Sequence, residues 1–221
     1  MLPSVPTAKV IVVNPNNGRV STDPYDYTAQ IRQAEANGAE VYGYVYTKYA
    51  NTKIDSLRNP NGAKDRMVDS VKANIDEYYR RYPALTGIFI DEVTDTCGAV
   101  GSYYKPIADH IRSHGGKVIL NPGGAVPTCY RDLADIVITF ENTFDTYKNR
   151  WSTVNRGWET NTFSNRIWHI VHTASSAELS EALMLSRLRS AGFIYITDRT
   201  FDMLPSYFST EVANVRAYGS P

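Results

Sequence analysis

The chain has 221 residues, 43% of them apolar, enough to bury one substantial core in a single domain. Lys plus Arg and Asp plus Glu are balanced at 23 each, so no net field favours a polyanion such as nucleic acid or an anionic membrane. No run of about 18 apolar residues is present to span a bilayer, and Met1-Leu2-Pro3-Ser4-Val5-Pro6 lacks the basic region and apolar stretch of a signal peptide. Sixteen tyrosines and three tryptophans supply flat amphipathic surfaces suited to sugar rings, although any single Tyr is as easily a half-buried packing residue.

In chain order, residues 1 to 8 read as a loose tail, and residues 9 to 221 as one domain of alternating βα units. Apolar, β-branched runs predict strands at Lys9 to Asn14, Glu40 to Tyr46, Gly87 to Glu92, Lys117 to Asn121, Ala134 to Glu141, Arg166 to Thr173 and Gly192 to Asp198. Asp23 before Pro24 reads as the cap of a helix that stops at Gly38. Met67, Val68, Val71, Ile75, Tyr78 and Tyr82 form an apolar stripe on a helix over 63 to 82. Tyr104, Ile107, Ala108 and Ile111 form a shorter stripe ending at Gly115-Gly116. Ser175 to Glu178 reads as a capping box opening a helix toward Ala191-Gly192, and a last helix lies near Phe208 to Tyr218. Asn14-Pro15-Asn16-Asn17-Gly18 is not the GxGxxG turn of a dinucleotide fold, which favours a barrel over a doubly wound sheet.

In barrels of this kind the reacting groups sit at the C-terminal strand ends, and here those ends are polar. Asn14, Tyr44-Val45-Tyr46-Thr47, Asp91-Glu92, Asn121, Glu141-Asn142, His169 to His172 and Thr197-Asp198-Arg199 close the successive strands. A carboxylate after an apolar strand more often just caps the next helix. Two such strands, ending in Asp91-Glu92 and in Glu141, fit the paired carboxyl groups of glycoside cleavage, one donating a proton and the other acting as nucleophile or base. Asp91 and Glu92 can enter one mouth together only if the strand has ended or bulged there. Asp91 and Glu141 are expected at the same mouth, with carboxyl groups about 5 to 10 Å apart.

Other chemistries have weaker support. His169 and His172, three apart on a strand, face opposite sides and do not share a metal, one lining the mouth and one packing against a helix. Neither a CxxC spacing nor a Cys/His cluster points to zinc, and no metal or cofactor is expected. Ser175-Ser176 caps a helix rather than serving as a nucleophile, since GxSxG is absent. Cys97 and Cys129 lie in the loops after the third and fourth strands, neighbours on one face of a parallel barrel, and are expected to form a disulfide.

The stretches 10 to 18, 41 to 50, 87 to 92, 118 to 123 and 134 to 141, with Tyr103-Tyr104, resemble in order and spacing the spherulin four family, glycoside hydrolase family 135, over nearly the whole chain. The resemblance implies a (β/α)8 TIM-type barrel whose first βα unit is apparently missing, because family members carry a further strand and helix before the one at Lys9. It implies an endo-acting α-N-acetylgalactosaminidase that cleaves galactosamine-containing exopolysaccharide outside the cell or at its surface as a monomer. Its functional acids match Asp91, Glu92 and Glu141. By analogy with retaining barrels, Asp91 is then nucleophile, Glu141 acid/base and Glu92 a tuning group. Asn14, Tyr44, Tyr46, Tyr49, Tyr103, Asn121 and Trp168 are candidate sugar contacts by position and chemistry. The competing readings are a glycan-binding barrel without catalysis and a metal-dependent polysaccharide deacetylase.

Overall fold

The computed structural model describes residues 8–50, 67–159, 164–201 and 203–217, and within them seven parallel strands follow one another in chain order. Residues 1 to 7, 63 to 66 and Tyr218, to which a tail and two helix ends were assigned, lie outside the described residues. The chain groups into two compact units. One comprises Ala8–Pro122 and Cys129–Asp135, and the other includes Gly123–Thr128 and Ile136–Pro221.

The first unit holds β1 (Val10–Val13), β2 (Glu40–Tyr46), β3 (Gly87–Asp91) and β4 (Lys117–Leu120), with α1 (Thr28–Ala36), α2 (Val68–Arg81) and α3 (Lys105–Ser113) between them. Val10 stands opposite Glu40, Tyr46 opposite Asp91 and Ile90 opposite Leu120. On α2 the stripe Val71, Ile75 and Tyr78 is buried, as its three- and four-residue spacing predicts, and Arg80 and Arg81 close the last turn where the helix dipole favours cations. Gly43 fixes how the helix meets the sheet: a Cβ there would lie 2.6 Å from Tyr78 Cδ1. With no side chain in the way, the Tyr78 ring lies against β2. Val41, Gly43 and Val45 therefore form the helix-facing side of that strand, and Tyr42, Tyr44 and Tyr46 the opposite side. Cys97 and Cys129 form the expected disulfide, Cα to Cα 6.0 Å, and the Tyr130 hydroxyl donates to the Thr96 carbonyl at 2.9 Å beside it.

The expected start of the first helix is overturned. Asp23 Oδ1 accepts the Tyr25 N–H at 2.8 Å, so its side chain closes a local turn instead of capping a helix at Pro24. Three residues later Asp26 Oδ1 takes the Thr28 N–H (3.0 Å) and hydroxyl (2.6 Å), and α1 begins at Thr28. Its stop at Gly38, φ 84°, is as expected.

The second unit holds β5 (Ile136–Thr143), β6 (Ile167–His172) and β7 (Phe193–Ile196), with α4 (Phe144–Asn149), α5 (Trp151–Val154), α6 (Leu179–Leu188) and α7 (Phe208–Ala217). Its core joins Phe140 of β5 and Val171 of β6 to Phe144, Tyr147, Leu179 and Leu183 from the helices. The short α4 and α5 carry too few residues for a periodic signal, and tertiary packing of Phe144, Tyr147 and Trp151 holds them. Before α6, Glu178 Oε2 accepts the Ser175 N–H at 2.8 Å and its hydroxyl at 2.7 Å, the return arm of the expected capping box. The β5–β6 register shifts between Ile138 and Phe140. That irregularity re-aims the residues after it.

Two stability predictions come from this packing. Gly43→Ala forces its methyl into the Tyr78 ring and is expected to cost about 1–3 kcal/mol, read as a lower urea midpoint. Glu211 of α7 is buried and accepts the Ile196 N–H at 2.8 Å; burial, opposed by that bond, raises its carboxyl to about 7. Because the folded chain then binds more protons than the unfolded one between pH 4.5 and 7, this group's contribution is fully present below about pH 4.5 and falls as pH rises through 7. At about 1.4 kcal/mol per pKa unit, the loss is on the order of 3 kcal/mol. The stability difference between the parent chain and Glu211→Gln should shift against the parent over that window.

Candidate functional site

β3 ends at Asp91, and the next residue, Glu92, has φ 52°, in the left-handed region that a side chain with a Cβ seldom occupies. The strand has therefore stopped, which is the condition under which both carboxylates can serve one mouth. Asp91 lies opposite Tyr46 in register, on the face of the sheet turned away from α2. Two donors fix its carboxylate: the Tyr44 hydroxyl gives a hydrogen bond to Oδ2 at 2.6 Å, and Asn121 Nδ2 gives one to Oδ1 at 2.8 Å. Tyr44 is itself positioned by a stack on Phe89, centroids 5.9 Å apart and planes 17° apart. Burial, then the negative charge of Asp91, raise the Tyr44 phenol well above its ordinary value, with Glu92 adding to the effect, so Tyr44 remains a donor.

Asn121, just past β4, is buried and anchored through its backbone, donating to Ile90 O at 2.8 Å and accepting from Val93 N at 3.1 Å. Thr47 directly follows β2, a polar strand end with no site role assigned by sequence. It is fully buried, its N–H donates to Asp91 O at 2.9 Å, and its hydroxyl lies 2.9 Å from Glu92 O. Lys48, Tyr49 and Ala50 follow with φ of 49°, 57° and 55°, and the Tyr49 N–H donates to Glu92 O at 2.6 Å. Four non-glycine residues in the left-handed region, gathered around two strand ends, are the kind of local strain that collects at functional sites.

In the second unit, Phe140 turns into the core beneath the helices, so Glu141 projects from the opposite face of β5. Glu141 is half-buried and pairs in register with Ile170. Val171 packs with the helices, which sends His172 to the same face as Glu141, one strand over. His169 faces the helices: Nδ1 lies 2.8 Å from the Tyr147 hydroxyl and Nε2 3.1 Å from Thr139 Oγ1. Burial, reinforced by the Arg189 charge, lowers His169 to about 3, so it is a neutral packing residue. The two histidines divide between the faces as expected. His172, half-buried at a strand end and lowered by burial, is the candidate that sequence reading left out of the site.

Among the expected sugar contacts, Tyr44 and Asn121 touch Asp91 directly and Tyr46 pairs with it, while Tyr49 is 59% exposed beside Glu92. Asn14 is exposed immediately after β1. Tyr103 is buried edge-on to Tyr104, centroids 5.0 Å apart. Trp168 is buried at the second position of β6, paired with Phe193. It sits toward the N-terminal end of its strand, while Glu141 and His172 lie toward the C-terminal ends of theirs.

A double-mutant cycle tests the clamp. Tyr44→Phe keeps the stack on Phe89 and removes only the phenol bond to Asp91. Coupled with Asp91→Ala, which removes both acceptor oxygens, it is expected to show an interaction of about 1 kcal/mol in urea denaturation, within the range for a hydrogen bond to a charged group discounted for partial exposure. Additive effects would show that the two groups do not interact.

With this geometry in view, two solved structures show the fold. That of Aspergillus clavatus Sph3 in complex with GalNAc matches with a TM-score of 0.71 at 22% identity, covering 92% of this chain and 84% of that one. A chitinase from Chromobacterium violaceum matches with a TM-score of 0.52 at 10% identity, covering 94% and 91%. The fold is thus α/β of the TIM-like barrel class, as the sequence implies. Spherulin-4 of Physarum polycephalum is 32% identical over 222 aligned positions, which take in 94% of this chain but 62% of that protein, so the chain spans less than two thirds of this relative. Residues 3–215 match the pattern of spherulation-specific family 4, and the chain belongs to that family.

Proposed function

We propose that this chain is a glycoside hydrolase that cleaves N-acetylgalactosamine-containing exopolysaccharide with Asp91 and Glu141 as its reacting pair. The observation that carries the reading is Asp91 itself, a carboxylate at a strand end held in one orientation by Tyr44 and Asn121. A group oriented in advance loses little freedom on reaching the transition state, which is what a nucleophile or base in glycoside cleavage requires. The GalNAc complex of Sph3 and the chitinase, both sharing the fold, support a glycan as the ligand.

In the proposed sequence, Glu141 gives its proton to the glycosidic oxygen as the bond from that oxygen to the anomeric carbon breaks. Asp91 supplies the electron pair that bonds to the anomeric carbon. Glu141, now a carboxylate, then takes a proton from the water that displaces Asp91 and restores both groups. Glu92, whose charge already acts on Tyr44, tunes the pair. Tyr46 and the exposed ring of Tyr49 offer faces for sugar stacking, and Asn14 an amide for hydroxyl groups. Cleavage within the polysaccharide chain, at the cell surface or outside it, completes the proposal, and a disulfide suits such an oxidising compartment.

The test is digestion of galactosamine-containing polysaccharide with the products read by mass spectrometry. The parent chain is expected to release oligosaccharides, and Asp91→Asn and Glu141→Gln to bind the polymer while turnover falls about a hundredfold or more. Near-normal turnover of Glu141→Gln would remove Glu141 from the chemistry. Binding by the parent without any product would make the protein a glycan-binding barrel instead.

A further inference from the structure

On the helical side of the first unit, α2 and α3 bring together three groups that the glycan reading does not use. His110 lies in α3 and His114 directly follows its last residue, so the two are one helical turn apart on one face. Both direct Nε2 at a single atom, Asp76 Oδ1 of α2, at 2.7 and 2.8 Å, and the three atoms lie within 4.8 Å of one another. The His114 ring is held by a parallel stack on Tyr79, centroids 4.6 Å apart and planes 12° apart, and the His110 ring meets it edge-on at 5.1 Å. The side chains of His110, His114 and Asp76 are 25%, 32% and 52% exposed, so an ion can reach them from solvent.

A carboxylate accepting N–H bonds from two imidazoles is one sufficient explanation of this contact. The donor set allows more. Two imidazole nitrogens and one carboxylate oxygen form the three-ligand arrangement that Zn²⁺ takes with a solvent molecule in the fourth position, whereas Mg²⁺ and Ca²⁺ prefer all-oxygen shells. Metal bonds of about 2.0–2.2 Å in tetrahedral geometry put ligand atoms roughly 3.3–3.5 Å apart. Asp76 therefore needs to withdraw by about 0.5–0.8 Å, which its exposed side chain allows, and the two Nε2 atoms, within 4.8 Å of each other, need only close to the same spacing.

We infer that Asp76, His110 and His114 form a Zn²⁺ site that staples α2 to α3. The ion takes the lone pairs of both Nε2 atoms, the remaining proton of each ring resting on Nδ1, and the Tyr79 stack preorganises one ligand. This site is separate from the strand-end carboxylates, and its fate does not depend on what they do.

The experiment titrates untagged, chelator-dialysed full chain with ZnCl₂ by calorimetry and follows thermal unfolding with and without the ion. The expected result is about one Zn²⁺ per chain, a zinc-dependent rise in Tm and none with MgCl₂. His110→Ala and His114→Ala are each expected to weaken zinc binding about tenfold or more, since loss of a ligand costs at least as much as loss of a group supporting one. The readout is the difference that zinc makes within each variant, so loss of the imidazole–carboxylate bond alone does not mimic it. Unchanged zinc affinity in both variants, or no zinc-dependent change in Tm of the parent, would overturn the site.

Discussion

A parallel strand sends its side chains alternately to two faces, and in this chain one face is claimed by helices. In the first unit the claim is made at Gly43, where the missing Cβ lets Tyr78 of α2 lie against β2. In the second it is made by Phe140 and Val171, which pack with Phe144, Tyr147, Leu179 and Leu183. Once those faces are spoken for, the remaining positions have one direction left. Tyr44, Tyr46, Asp91, Glu141 and His172 follow from that parity, and a slip of one residue in β3 or β5 would turn Asp91 or Glu141 toward the apolar, helix-facing side.

The geometry at the end of β3 adds a second layer of control. Alternation alone cannot bring Asp91 and Glu92 together, because consecutive strand residues diverge. The chain leaves the strand at Glu92 through a left-handed turn, which frees its side chain from that alternation, and the turn is tied down by the Thr47 hydroxyl and the Tyr49 N–H. Strained residues at Lys48, Tyr49 and Ala50 are held in the same place. Their conformations cost stability, and buried Thr47 and the Tyr44–Phe89 stack are the local packing that offsets it.

Much of this was legible in the sequence because it is carried by strong, local patterns. The seven strands announce themselves as β-branched runs, and their polar ends name Asp91, Glu92 and Glu141 directly. What escaped has identifiable causes. Asp23 and Asp26 are equally good caps on paper, and only the Asx turn at Tyr25 decides that the helix waits until Thr28. The helices α4 and α5 are too short to show a period, and partners distant in sequence hold them. Trp168, a candidate sugar contact by position and chemistry, stands at the second position of β6, because the strand starts only at Ile167. His110 and His114 stand at the four-residue spacing that puts two ligands on one helix face, but Asp76 joins them only through the packing of α2 on α3.

The proposed action of Asp91 and Glu141 on one bond is tested most directly by a crystal structure of Asp91→Asn or Glu141→Gln with a galactosamine-containing oligosaccharide. The expected result is a glycosidic oxygen between the two positions, with the side-chain carbons roughly 5 to 10 Å apart, the spacing used by glycosidases of both stereochemical outcomes. An oligosaccharide bound elsewhere, or the two side chains directed to different surfaces of the protein, would contradict it.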